Sequence, residues 1–167
     1  MDIQEADVPD RSLIAQFAAR EGYYTDCFVA HGAQSDLCGY IEAFYTQPLF
    51  KAERLLLRVA AGARSTDDEA AALARGEIDR FAVWHVSART DTELLMVDAS
   101  GRTMSWLSVA DGLSFGSVVT PVRDRRGRLT LGPVFHSLLS AHRIYARALL
   151  AGAARRLRHR GSQGRFL

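Results

Sequence analysis

Residues 80–122 read RFAVWHVSARTDTELLMVDASGRTMSWLSVADGLSFGSVVTPV, and this stretch decides the fold. Four runs in it favour extended backbone, at 81–86, 93–97, 102–109 and 113–122. Branched and aromatic side chains recur in them, as strands require. Three short polar breaks separate the runs: Arg89-Thr90-Asp91-Thr92, Ala99-Ser100-Gly101 and Asp111-Gly112. Breaks this short force antiparallel neighbours, because parallel pairs need long crossovers. Pro121 marks an edge or a strand end, and Gly116 a bulge or a close backbone approach. Within the first run, alternation puts Trp84 with Ala82 and Val86, and His85 with Phe81 and Val83. Either set fits the concave side of a bent sheet.

An antiparallel meander buries one face and needs a cover. Working outward toward the C-terminus, Asp124 to Arg128 reads as a turn, and 129–131 as a brief extension of the sheet. Residues 137–158 have helical composition, with Leu138, Leu139, Ile144, Tyr145, Leu149 and Leu150 supplying apolar surface. This long helix is the expected cover, and 161–167 the expected disordered tail. Toward the N-terminus, 23–31 reads as a first strand ending at Gly32. Ser35 or Asp36 caps a helix with Leu37, Ile41 and Phe44 on its apolar face. Gln47-Pro48 interrupts it, and Pro48 opens a second helix. Leu49, Phe50, Leu55, Leu56, Leu57 and Val59 are apolar enough to bury more than one face of that helix, which Gly62 can end. Thr66-Asp67-Asp68-Glu69 is a capping box for a third helix that stops at Gly76. Residues 1–22 form an arm or a short helix, leaving 23–160 as one domain. The expected fold is α+β, a curved antiparallel sheet around a long C-terminal helix, with short helices inserted after the first strand.

Composition agrees with one self-sufficient domain. The chain has 167 residues, 48% of them apolar and 24% charged, enough to build a core without staples. A net charge of +2 argues against a dedicated nucleic-acid binder. The arginines at 123–128 read as a solvated turn, and those at 155–160 as cations closing a helix. Cys27 and Cys38 make neither a zinc pattern nor a disulfide framework. No stretch approaches the ~20 apolar residues of a membrane span, and residues 1–11 do not read as a signal peptide. The expected setting is cytoplasmic. Neither a cofactor nor a metal is implied, because no phosphate loop, paired metal-ligand spacing or redox Cys-x-x-Cys is present.

Three motifs carry a resemblance. They are Phe81-Ala82-Val83-Trp84-His85-Val86 leading through Arg89 to Glu93-Leu94-Leu95-Met96, then Asp98 with 101–107, and His142-Arg143-Ile144-Tyr145-Ala146-Arg147. Across residues 23–157 the chain resembles a bacterial family catalogued as a domain of unknown function. The element order resembles the START and Bet v 1-like (SRPBCC) helix-grip superfamily. That resemblance implies an apolar cavity between sheet and helix. In much of the bacterial family an Asp and an Arg stand near Ser105 and Leu107, so any role of those charges is not expected here.

If the gap exists, its expected liners are Trp84 or His85, Ser105, Trp106, Phe115, His142 and Tyr145. His142 and Tyr145 lie three apart on one helix face. They could move a proton in an apolar gap, or His142 could be a core histidine bonded to Ser105 or to a carbonyl. Trp84 and Trp106 could stack on a flat ligand or simply pack. Three functions follow as expectations. The first is binding of a small apolar or aromatic molecule. The second is a cofactor-free cyclase, dehydratase or isomerase with His142 as acid or base. The third is an interaction module, dimeric and with a vestigial cavity.

Overall fold

The polar breaks of the central stretch become hairpin turns. Thr90 N–H donates to Glu93 O, Gly101 N–H donates to Asp98 O, and Gly112 adopts φ +103°. The computed structural model describes residues 2–62 and 65–163. Its strands are β1 (Ile3–Glu5), β2 (Tyr24–Ala30), β3 (Arg80–Phe81), β4 (Trp84–Arg89), β5 (Glu93–Asp98), β6 (Thr103–Ser108) and β7 (Leu113–Val119). They form one curved seven-stranded sheet in the order β1-β2-β7-β6-β5-β4-β3. Every pairing is antiparallel. The helices are α1 (Ala15–Ala18), α2 (Leu37–Thr46), α3 (Pro48–Ala61), α4 (Asp67–Arg75) and α5 (Pro133–Gln163). The α+β helix-grip arrangement expected from the sequence is the one observed.

Local signals act as their chemistry predicts. Asp36 caps α2 by accepting from Gly39 N–H at 2.7 Å. Gln47 is extended before Pro48, which opens α3. Thr66 and Glu69 exchange both bonds of the capping box, and Gly76 ends α4 in the left-handed region. Gly116 sits in unbroken register between Cys27 and Trp106. A methyl there would lie 2.7 Å from Asp26 O, so Gly116 serves close approach and not a bulge. The sheet's irregularity lies instead in β4, between Val86 and Ala88.

Four expectations are corrected. The run 81–86 is not one strand. Ala82-Val83 turns the chain between β3 and β4, with Ala82 at φ +54°. Glycine, Asn and Asp usually occupy such a turn, and none is present to signal it. Next, β8 (Val122–Arg123) and β9 (Leu129–Thr130) make a separate two-stranded sheet and do not extend the large one. The last helix begins earlier than expected and runs through Gln163, so 161–163 are not tail; 164–167 lie outside the described residues. Finally, residues 3–5 add an edge strand, and Ile14 is fully buried. The segment before β2 is therefore more than an arm.

Two apolar clusters sandwich the sheet. On one face α2, α3, α4 and α5 bury Phe44, Tyr45 and Phe50 with Phe28, Phe81 and Phe115. Phe44 lies 5.0 Å from Phe115 and Tyr45 5.1 Å from Phe81, ring centre to ring centre. Such tilted aromatic pairs contribute roughly 0.5–1.5 kcal/mol beyond their area. On the other face Ile14, with Leu13 and Phe17 packed around it, covers Cys27, Leu95, Trp106 and Val118. α5 buries Ala146, Leu149, Leu150, Ala153 and Ala154, one helical stripe. Of the side chains expected to supply its apolar surface, Leu138 and Ile144 are 56% and 70% exposed. In α3, Phe50 is buried while Leu49 and Leu55 are exposed; the side chains of Leu56, Leu57 and Val59 lie outside those described.

Candidate functional site

The alternation of β2 sends Tyr24, Asp26, Phe28 and Ala30 toward α5, because Phe28 and Ala30 belong to the cluster under that helix. Asp26 is a carboxylate on an otherwise apolar inner face, with its side chain only 2% exposed. It is satisfied from three sides. Oδ1 accepts from Ser117 N–H at 2.8 Å. Oδ2 accepts from the Tyr24 hydroxyl at 2.9 Å and lies 3.1 Å from His142 Nε2. Facing a carboxylate acceptor, Nε2 is the ring nitrogen that carries a proton toward Asp26. Burial, then the Asp26 charge and its hydrogen bond, hold the Tyr24 phenol well above its usual range, so that hydroxyl remains a donor. The Tyr24 ring lies 4.9 Å from Phe135 and 6.2 Å from His142, packing around the pair.

His142 stands where two spaces meet. An inner cavity of about 200 Å³ is walled by Trp84, Ser105, Phe115, His142 and Tyr145. An outer groove of about 570 Å³ opens to solvent past Arg102, Phe135 and Leu138. Thr103, His142 and Tyr145 line both. Trp84 contributes more than area, since its indole Nε1 is buried without a hydrogen-bond partner among the described residues.

Five of the seven side chains expected from the sequence thus share one cavity. His85 and Trp106 do not. His85 is exposed, on the face opposite Trp84. Trp106 is 1% exposed on the far side of the sheet. Its Nε1 donates to Glu93 Oε2 at 2.7 Å, and the same oxygen accepts from Leu13 N–H at 2.8 Å. Trp106 therefore anchors the N-terminal segment. The expected partner of His142 is corrected as well, since Asp26 takes the place at Nε2 proposed for Ser105 or a backbone carbonyl. Asp26 was the missed residue. The available signal was an acid two residues from Tyr24 and two from Phe28, at an apolar-facing strand position where acids are disfavoured.

Two further polar side chains named in the sequence, those of Asp98 and Arg89, bond to backbone. Asp98 Oδ1 accepts from Arg102 N–H and Thr103 N–H, closing an Asx-type turn. Arg89 donates to the carbonyls of Leu73 and Ala74 at the end of α4, where a cation suits the helix terminus. Among the described residues no cluster of His, Cys, Asp or Glu could hold a metal, and no helix is long and apolar enough to cross a membrane. Compared with protein-family models, curated proteins and solved structures, the chain matches none.

Proposed function

We propose that this protein binds a small, mostly apolar molecule between the sheet and α5. The observation that carries this is the shared wall: Thr103, His142 and Tyr145 belong to both the inner cavity and the outer groove. The inner space alone is smaller than the ~300–1,000 Å³ of small-molecule sites, and the groove falls within that range. Apolar walls with a few convergent polar groups are the usual make-up of such sites. Here those groups are Ser105, His142, Tyr145 and the unpartnered Trp84 Nε1. An acceptor on the ligand would satisfy that indole. The resemblance to the helix-grip superfamily supports the same reading.

Native mass spectrometry of freshly purified protein tests it. A released small molecule is expected from the wild type and not from Ser105→Phe, which puts a ring into the inner cavity. A wild type that carries nothing and gains no thermal stability from apolar probes would sink the proposal.

The pairing of buried Asp26 with half-buried His142 favours a second reading on the same scaffold. A carboxylate that orients an imidazole in an apolar gap suits cofactor-free proton transfer, with His142 as the acid or base. Conversion of the recovered ligand by wild type but not by a folded His142→Ala variant would establish it. A docking role has less support, because Trp106 is buried and Trp84 half-buried, so neither tryptophan offers an exposed patch.

A further inference from the structure

We propose that the ligand carries an acidic group, and that Arg102 holds this group in the outer groove. The inference rests on the apolar-ligand reading above and narrows its chemistry. Arg102 lies just beyond the turn between β5 and β6 and lines the groove, opposite Leu131, Phe135 and Leu138. Its Nε is buried and has no hydrogen-bond partner among the described residues. Among the described residues no acidic side chain lines the groove.

The nearest acid along the chain is already engaged. Asp98 turns its carboxylate to the backbone N–H groups of Arg102 and Thr103 and to the Ser100 hydroxyl, at 2.8–3.2 Å. It makes no ion pair with the Arg102 guanidinium among the described residues. The turn is thus fixed by Asp98 while the guanidinium stays available. Several other arginines are paired. Arg54 reaches Asp67, Arg143 reaches Glu5, and Arg89 takes two carbonyls. Arg156, whose Nε is likewise buried without a hydrogen-bond partner among the described residues, donates from Nη1 to Thr46 O.

A guanidinium with a buried, unsatisfied N–H beside an apolar wall is costly unless an acceptor arrives. Its planar fork suits a carboxylate or another planar oxyanion. Thr103, whose side chain lines both spaces, stands between that cation and the inner cavity. An amphipathic anion would place its charge at Arg102 and its apolar body along Phe135 and Leu138 toward Tyr145.

A matched pair of fluorescent probes separates the charge from the apolar body. Anilinonaphthalene sulfonate is anionic, and N-phenylnaphthylamine has the same ring system without the sulfonate. Both are titrated into wild type, Arg102→Gln and Arg102→Lys, with unfolding midpoints measured alongside. Wild type is expected to bind the anionic probe about tenfold more tightly than the neutral one, a factor in keeping with one charge-assisted hydrogen bond. Arg102→Gln should erase that preference and leave the neutral probe unchanged, and Arg102→Lys should recover part of it. If the neutral probe binds but Arg102→Gln leaves the anionic affinity intact, or weakens both probes alike, acid recognition by Arg102 is wrong and the apolar site stands. If neither probe binds the wild type, the apolar-ligand reading fails and this proposal with it.

Discussion

Asp26 holds Ser117 N–H, the Tyr24 hydroxyl and His142 together from the middle of β2. Asp26→Asn keeps the shape and swaps one acceptor oxygen for a donor, which leaves Tyr24 or His142 facing the wrong group. Urea unfolding should show a loss of about 1–3 kcal/mol, the usual cost of a buried polar group left unsatisfied. An unchanged midpoint would mean that the carboxylate is dispensable to the fold. The next residue, Cys27, points to the opposite face and is 1% exposed. Burial, then the nearby Asp26 charge, pushes its thiol up from the ordinary 9.0 to about 11. The folded state thus prefers the neutral thiol, and the unfolded chain gives up that proton at lower pH. The contribution is intact below pH 9.0 and is lost as pH rises toward 11. Over that window the stability of wild type should fall more steeply than that of Cys27→Ala. Parallel curves would remove the linkage.

At the scale of elements, the segment before β2 is the part most easily underrated. Composition alone makes it polar and Ala-rich, yet Ile14 closes the outer cluster over Trp106 and Leu95. Glu93 fastens it by accepting from both Leu13 N–H and Trp106 Nε1. Ile14→Ala should destabilise by roughly 2–5 kcal/mol in chemical denaturation, as filled-core truncations do. Leu55→Ala, on an exposed position, should change stability by no more than about 0.5 kcal/mol. Equal effects of the two would show that the segment does not act as core. The elements that were readable in advance have strong local chemistry: the Thr66–Glu69 box, the Gln47-Pro48 break and the three polar turns. The β3–β4 turn was not readable, because Ala82 takes a positive φ that its side chain does not advertise.

For the whole molecule, side chains and covers are matched by contacts far apart in the chain. Gln47 Nε2 donates to Leu149 O at 2.8 Å across 102 positions, and Asp26 meets His142 across 116. Gly152 admits Gln47, since a methyl there would lie 1.8 Å from its Oε1. Small residues of this kind choose which stripe of α5 presses on the sheet, and so turn Ile144 outward and His142 toward Asp26. The sequence by itself determined the antiparallel pairing, the three polar turns and the helix boundaries set by the Thr66 box and the Gln47-Pro48 break, but not the turn at Ala82-Val83, which puts Phe81 on the same face as Trp84 and not with His85. A period of two residues sorts side chains within one strand and is indifferent to which face receives the helix. Only the tertiary structure decided that Trp84 faces the cavity, that Trp106 faces the N-terminal segment, and that a buried aspartate supports His142. Those outcomes depend on close packing between distant segments, which local pattern does not encode.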